Sequence, residues 1–420
     1  MKWLRHLPRG RLALNTSFAL LWQVVRVGAQ SLWLLVIARK LGATGYGTFA
    51  GIAGLATFLG AFSGLGLGLL LLRAVARDHS RLGAYWHKGL RWTIVSGALI
   101  AIFFVATASF TMGAQTDIVA LVAIGIAETL LFPIVSFCAF AFNAFERAGY
   151  AAALPALAAT SRLLGAVVFF IVPLAATLTT YSLIHLVATL LAAWATIVVT
   201  RANLSPPRER ESLTRAEFVD GMGYSSVWAV TNALTSLDKT LVLHLSSGTV
   251  AGLYASAYRL TMIFTLPVDA LAMSALPRVF RHDKDSRSGR RLITTMFAAS
   301  LLFSSVAAAA LYFAANIIPW LLGPSFDDAV QAARMLVWLM PAYALRMLGG
   351  NILLGLDGQW LRLAIESCGI GMLCLFAWLF VPHYGLVGAT RMIVCTEACL
   401  TLLTWTFIAW RLRRDMHPSP

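Results

Sequence analysis

The apolar positions of this chain come in long unbroken runs. They do not alternate, and they are not confined to one stripe of otherwise polar helices. Each run has about the 20 residues that carry an α-helix across bilayer hydrocarbon. Runs are read at about 14–38, 47–72, 92–112, 117–142, 150–172, 178–200, 219–245, 249–277, 291–319, 329–354, 361–381 and 385–410. Barrel strands would alternate apolar and polar residues, so the pattern predicts twelve transmembrane helices. A polar stretch over 201–218, with Pro206 and Pro207 inside it, divides the runs six and six. The predicted fold class is therefore an all-α integral membrane protein. Its parts are an N-lobe over 1–200 (helices 1–6), a cytoplasmic linker over 201–218 and a C-lobe over 219–420 (helices 7–12). The two six-helix lobes would be pseudo-repeats around a central cavity.

Composition agrees: 59% of the residues are hydrophobic and 12% are charged, against about a quarter charged in soluble domains. The first apolar stretch is too long for a cleaved signal and leads into a second span. The net charge of +15 is topological information, not a nucleic-acid footprint. With the N-terminus inside, 24 of the 33 Lys and Arg residues fall in inner segments, and only Arg39 and Lys40 fall in outer ones. That asymmetry is the positive-inside pattern, and it places both termini in the cytoplasm. All five cysteines (Cys138, Cys368, Cys374, Cys395 and Cys399) lie within apolar runs, as packing residues. No metal site and no cofactor is expected, and no Walker A pattern occurs.

The halves resemble each other at an offset of about 205 residues. Leu72-Arg-Ala-Val-Ala-Arg-Asp78 aligns with Pro277-Arg-Val-Phe-Arg-His-Asp283, and Gly47-Thr-Phe-Ala50 aligns with Gly252-Leu-Tyr-Ala255. An even number of helices per half gives parallel repeats related by an axis along the membrane normal.

Seven basic residues lie inside the runs: Arg26, Arg162, Lys239, Arg259, Arg334, Arg346 and Arg391. Five acids accompany them: Glu128, Asp238, Asp269, Glu366 and Glu397. A charge at mid-bilayer costs roughly 2.5–3.5 kcal/mol on insertion scales, so each of these must pair, snorkel or line a wet cavity. Gln23, Arg26 and Gln30 share one face of the first helix, with Thr16 in line. Trp228, Asn232 and Lys239 do so on the seventh, with Ser225, Thr235 and Ser236. Tyr258, Arg259, Met262 and Asp269 share a broader face of the eighth. A cationic, aromatic-flanked cavity built from these stripes suits an anionic head group. Arg26, Lys239, Arg259, Gln23, Gln30, Asn232, Trp228 and Tyr258 are the candidate substrate-binding residues. Glu128, Arg162, Asp238 and Asp269 are candidates for ion coupling or for structural pairing. Arg334, Arg346 and Arg391 read as snorkelling residues, Glu366 as structural, and His185 as a packing or hydrogen-bonded residue. Ala56, Gly60, Gly64 and Gly68 form a small-xxx-small stripe on the second helix, read as packing or as a flexible gate.

Ala38-Arg-Lys-Leu-Gly-Ala-Thr-Gly-Tyr-Gly-Thr-Phe-Ala50 resembles the segment between the first two helices of Wzx-type polysaccharide flippases. These belong to the multidrug/oligosaccharidyl-lipid/polysaccharide exporter superfamily. Leu237-Asp-Lys-Thr-Leu241 with Ala251-Gly-Leu-Tyr-Ala-Ser-Ala-Tyr258 resembles the start of their second half, and Tyr384-Gly-Leu-Val-Gly-Ala389 the turn before their last helix. The helix count agrees over the whole chain. The resemblance implies alternating-access translocation of a polyprenyl-pyrophosphate-linked oligosaccharide from the cytoplasmic to the outer leaflet of a bacterial inner membrane. It implies a basic cavity holding Arg26, Lys239 and Arg259, with polysaccharide polymerase and chain-length machinery as partners. Lys239 stands where many relatives have Arg, which weakens the case for bidentate phosphate binding there. The chain also lacks the extra C-terminal helices of the peptidoglycan-precursor branch. Two rivals remain. A drug or metabolite exporter of the same superfamily would use acids for organic cations, whereas these spans are net basic. A membrane glycan polymerase or ligase would carry a large outer loop, and the outer loops here are short.

Overall fold

A computed structural model of the chain describes residues 11–112, 116–209, 211–281, 287–355 and 358–414. Side chains are described over 17–111, 116–209, 211–265, 291, 293–353 and 358–411. Among the described residues every regular element is helical and none is a strand. The helices are α1 (Arg11–Gly60), α2 (Leu67–Arg77), α3 (Leu82–Met112), α4 (Ile118–Gly125), α5 (Phe132–Ala144), α6 (Ala148–Ile171) and α7 (Leu178–Leu204). They continue as α8 (Arg215–Leu245), α9 (Gly248–Arg281), α10 (Arg287–Ala314), α11 (Ile317–Leu322), α12 (Ala329–Leu336), α13 (Leu339–Gly355) and α14 (Gln359–Arg414). Seven helical stretches in the described residues are long and apolar enough to cross a membrane, or eight with α12 and α13 taken as one span bent by 43°. Two of the stretches are 44 and 53 residues long, at least twice the ~20 that one crossing needs.

Both long stretches are broken at a glycine. Gly42 interrupts α1 at φ 68° and ψ −179°, and Gly385 interrupts α14 at φ 53° and ψ −121°. A side chain is strained at such angles, so glycine lets the chain turn there without leaving its helices. Gly42 falls between the runs read at 14–38 and 47–72, and Gly385 is the first residue of the run read at 385–410. The second run behaves differently from its reading as one helix over 47–72. It is interrupted between Gly60 and Leu67, where Gly64, Leu65 and Gly66 all have positive φ. Its small residues do pack closely: a Cβ on Gly60 would meet the Glu128 carbonyl, and one on Gly68 the Phe140 ring.

The described residues fall into two compact units, Met1–Leu41 with Ile52–Asn232, and Gly42–Gly51 with Ala233–Pro420. In the first unit, Leu67, Leu71, Trp86, Phe137 and Phe142 centre a core where α2, α3, α5 and α7 pack. Lys40, read as one of two basic residues in outer segments, donates to the carbonyls of Phe170 and Val172 at 3.2 and 3.1 Å. It thereby caps the last turn of α6, where a cation is favoured by the helix dipole. In the second unit, Leu348, Ile352, Leu353 and Ile408 join α13 to α14.

Residues one repeat offset apart meet inside the second unit. Thr44 and Thr249, 205 positions apart, share a hydrogen bond of 2.8 Å. Gly47 and Gly252, at the same offset, touch backbone to backbone. A Cβ on Gly47 would fall on the Gly248 carbonyl, and one on Gly252 on the Ala43 carbonyl. The contact is reciprocal, as it must be where two equivalent segments face each other across a local two-fold axis. The longer pair, 72–78 with 277–283, lies partly outside the described residues.

Helices reach into the polar segment read as the 201–218 linker. Ser205 ends α7 in the left-handed region, and Thr214 and Glu217 start α8 with a reciprocal capping box. The Thr214 amide donates to Glu217 Oε2 at 3.0 Å, and the Glu217 amide to Thr214 Oγ1 at 3.2 Å. Glu217 also binds Lys88 of α3 at 2.7 Å, and Glu211 joins at 3.3 Å. Lys88 is 3% exposed, so the intervening segment is pinned to α3. Burial alone would push the Glu217 carboxyl up, but the hydrogen bonds from Lys88 and Thr214 outweigh it and bring it down to about 2.

Two outcomes are expected. Gly47→Ala and Gly252→Ala should each lower stability by about 1–3 kcal/mol through overpacking against backbone. Gly371→Ala, with nothing within 4 Å of its Cβ position, should not; thermal denaturation in detergent compares them. Glu217→Gln keeps the capping box but loses the charge, so it should melt below wild type at neutral pH. Because the folded carboxyl titrates near 2 and an ordinary one near 4.5, the stabilisation is full above pH 4.5 and lost as pH falls towards 2. The gap between the two melting curves should therefore close only below pH 4.5.

Candidate functional site

The intramembrane charges are held in compact clusters. The first sits at a turn of π-helix over Ile126–Leu131, inserted between α4 and α5. Such a turn shifts the hydrogen-bond ladder and frees carbonyls, and it often marks a functional position. Neighbours take up the displaced groups. Ser63 donates to the Thr129 carbonyl, and Thr129 Oγ1 donates to the carbonyls of Gly125 and Gly97 at 2.9 and 3.2 Å. Close approach is possible because Gly97 presents no side chain to the turn.

The turn aims Glu128 into the first unit. Its Oε1 forms an ion pair with Arg162 Nη2 of α6 at 3.0 Å and accepts from His185 Nε2 of α7 at 2.9 Å. Arg162 also donates through Nε to Thr189 Oγ1 at 3.1 Å and lies over the Phe132 ring at 4.9 Å. Tyr181, one turn before His185, has its hydroxyl 3.5 Å from His185 Nδ1 and accepts from Trp33 Nε1 of α1. Tyr181 is 0% exposed and His185 2%. The pairing read for Glu128 and Arg162 thus forms, with a histidine added to it.

The second cluster lies in the second unit, in the C-terminal part of α8. Asp238 is fully buried and accepts from Lys239 Nζ at 2.9 Å on both oxygens and from the Tyr254 hydroxyl at 2.7 Å. Lys239 Nζ also donates to the Thr235 carbonyl at 2.9 Å and sits 4.1 Å over the Tyr258 ring. Next to it Thr240 donates to the Gly51 carbonyl at 2.7 Å.

A third cluster corrects the snorkelling read for Arg346. That residue is 9% exposed and makes a two-point contact with Glu397, through Nε and through a second nitrogen at 3.0 Å. Fifty-one positions separate the partners, beyond what periodicity on one helix reveals. Arg362 and Glu366 pair at 2.9 Å one turn apart on α14. Arg334 bonds Asn316 at 3.1 Å and covers the Tyr312 ring, and Arg391 covers the Tyr384 ring.

Among the candidate substrate residues, the structure brings Lys239 and Tyr258 together. Asn232 is tied to Trp228 along α8 by its side-chain amide, at 2.8 Å from the Trp228 carbonyl. Gln23 is exposed, and Arg26 and Gln30 are half-buried, all on α1 in the first unit. Trp228 is 55% exposed and belongs with Asn232 to that unit. Lys239, Tyr258 and the half-buried Arg259 belong to the second. The side chain of Asp269 lies outside the described residues. Sequence reading missed Trp33 and Tyr181, and it took His185 as a packing or hydrogen-bonded residue without naming Glu128 as its partner. One signal was available, since Trp33 follows Arg26 by seven positions and so shares its face of α1. Among the described residues no group of three or more His, Cys, Asp or Glu side chains is placed to hold a metal ion.

The family model described as polysaccharide biosynthesis protein matches residues 12–282. The chain belongs to that family. The resemblance to Wzx-type flippases read from its motifs stands. No curated protein matches this family member. Solved structures do: an inward-facing multidrug resistance MATE family transporter of the MOP superfamily superposes with a TM-score of 0.70 at 14% identity, over 98% of this chain and 100% of that one. The lipid II flippase MurJ in an inward closed conformation gives 0.70 at 13% identity, over 93% and 87%. A MOP superfamily transporter from Pyrococcus furiosus, described as having a binding pocket of reverse polarity, gives 0.57 at 16% identity, over 96% and 95%. At these identities the likeness is one of fold.

The Arg346–Glu397 pair gives a stability test for this family member. Arg346→Met leaves a carboxylate buried without its partner and should cost about 3–5 kcal/mol. Arg346→Met with Glu397→Leu removes both charges and should recover most of that loss. Thermal denaturation in detergent measures both.

Proposed function

We propose that the protein is a flippase for a polyprenyl-pyrophosphate-linked oligosaccharide. It moves that lipid from the cytoplasmic to the outer leaflet of a bacterial inner membrane by alternating access, and hands it to polymerase and chain-length machinery. Twelve passes serve this role. The two glycine-broken stretches supply two passes each, the bent α12–α13 pair one, and α8 and α9 one each beside the remaining five. The termini are cytoplasmic by the distribution of positive charge.

One observation carries the reading. Each intramembrane acid whose side chain is described is already engaged by a base: Glu128 by Arg162, Asp238 by Lys239, Glu366 by Arg362 and Glu397 by Arg346. With seven basic residues read in the spans against five acids, the net charge of the spans is positive. That balance favours an anionic head group and disfavours an organic cation, which would need an available carboxylate. Family membership and the fold shared with MurJ and the MATE transporter agree with a flippase or exporter. In this reading Arg26, Lys239 and Arg259 attract the pyrophosphate in a cationic cavity. Gln23, Gln30 and Asn232 hydrogen-bond the glycan, and Trp228 and Tyr258 give its sugars apolar faces. The lipid tail stays in the bilayer, so the protein lowers only the cost of moving the head group.

Binding distinguishes this from cation export. Purified protein in detergent should bind a polyprenyl-pyrophosphate oligosaccharide with an affinity that falls as salt rises. Arg26→Ala and Arg259→Ala should each weaken binding about tenfold or more, the loss expected for a charge-assisted hydrogen bond worth ~1.5–3 kcal/mol. Tight binding of an organic cation, with none of the lipid, would replace this reading with a drug exporter.

A further inference from the structure

In the proposed function Lys239 attracts the pyrophosphate, yet its ammonium is fully engaged by the protein itself. A lysine has three N–H donors. Lys239 Nζ meets both oxygens of Asp238 and the Thr235 carbonyl, each at 2.9 Å, and lies 4.1 Å over the Tyr258 ring. These contacts use all three donors, so a phosphate oxygen gains one only when Asp238 gives it up. The partners are unequally placed for such an exchange. The Lys239 side chain is 16% exposed and that of Asp238 0%, so an incoming anion meets the base and not the acid.

Opening this pair disturbs little else. Both residues belong to α8, whereas Arg346 and Glu397 join α13 to α14. Consecutive positions on a helix point about 100° apart. The Lys239 stem is therefore folded back along α8 to reach Asp238 and the carbonyl one turn before. Its flexible four-carbon stem lets it swing out with no change in the backbone. Asp238 then keeps the Tyr254 hydroxyl of α9 at 2.7 Å, and the tie between α8 and α9 survives.

We propose that Asp238 is an internal stand-in for the substrate's phosphate. It holds the Lys239 ammonium while the site is empty, yields it to the head group, and takes it back to release the lipid. The inference rests on the flippase reading above and adds how the head group is let go. A carrier must reorient empty as well as loaded, and an unmatched ammonium within a span is costly. Asp238 removes that cost in the empty state. Stripping one partner from a buried ion pair is strongly unfavourable, so the same carboxylate lowers the affinity of the loaded state and favours release. Tyr254 is a positioning residue in this exchange. Its hydroxyl is the donor left to the buried Asp238 carboxylate once the ammonium has moved, so it makes the exchange easier.

Binding and turnover, measured on the full-length protein, read the exchange. Asp238→Asn keeps the shape of the side chain and frees Lys239. In detergent it should bind a polyprenyl-pyrophosphate oligosaccharide about tenfold or more tighter than wild type, the size of one charge-assisted hydrogen bond. In proteoliposomes saturated with that lipid it should flip more slowly than wild type, because release is impaired. Adding Lys239→Gln to Asp238→Asn should abolish the gain in affinity. Tyr254→Phe changes no charge and should act in the opposite direction, weakening binding about tenfold. A structural role alone would make both single variants bind more weakly. Unchanged or weaker binding by folded Asp238→Asn would overturn the proposal and leave the flippase reading intact. If Asp238→Asn does not fold, Tyr254→Phe decides, and unchanged or tighter binding by it would overturn the proposal. Failure of wild type to bind the lipid at all would overturn the flippase reading and the exchange with it.

Discussion

A charge placed in hydrocarbon must be matched there, and much of this protein's architecture follows from that. Lipid offers no water to solvate a carboxylate or a guanidinium, so each such group forces another to a fixed position. Glu128 brings together the π turn, α6 and α7. Glu397 fixes α14 against α13 through Arg346. Asp238 ties α8 to α9 through the Tyr254 hydroxyl. These contacts do little for net stability compared with an apolar core. What they fix is which helix faces which, because every alternative register leaves a buried charge unmatched.

Backbone constraints work alongside the electrostatic ones. Hydrocarbon also forbids unsatisfied peptide groups, so the chain can change direction only where its own groups remain bonded. Gly42 and Gly385 turn it inside otherwise continuous helices. The interruption near Gly64 and the π turn near Glu128 alter course within a span, where neighbouring hydroxyls and glycines take up the freed groups. The Gly47–Gly252 contact applies the same economy to the internal repeat: equivalent segments approach to backbone distance because neither carries a side chain there.

Much of this was legible in the sequence. Continuous apolar runs of bilayer length marked the chain as all-helical and membrane-spanning, and the motifs at Ala38–Ala50 and Tyr384–Ala389 marked two turns. The capping box at Thr214 and Glu217 was open to reading from its spacing. What periodicity could not reveal was the interruption of the run over 47–72, whose hydropathy is that of an unbroken span. Nor could it pair Arg346 with Glu397, since a partner on another helix has no fixed spacing. The role of His185 was hidden for the same reason: its partners, Glu128 and Arg162, lie on other elements. Among the candidate binding residues, the stripe on α8 was readable to the point of placing Trp228, Asn232 and Lys239 in line. The cation–aromatic contact of Lys239 with Tyr258 depends on how α8 and α9 pack, which no single stripe encodes.

The central claim is that a net basic membrane interior, whose described acids are each engaged by a base, serves to carry an anionic lipid head group across the bilayer. It is tested most directly by reconstituting the purified protein into liposomes with a labelled polyprenyl-pyrophosphate oligosaccharide and following how much label is accessible from outside. The account predicts rapid, protein-dependent exchange of that lipid between leaflets, with ordinary phospholipid left in place. Exchange of both lipids alike, or of neither by protein shown to be folded and loaded with a lipid it binds, would contradict it.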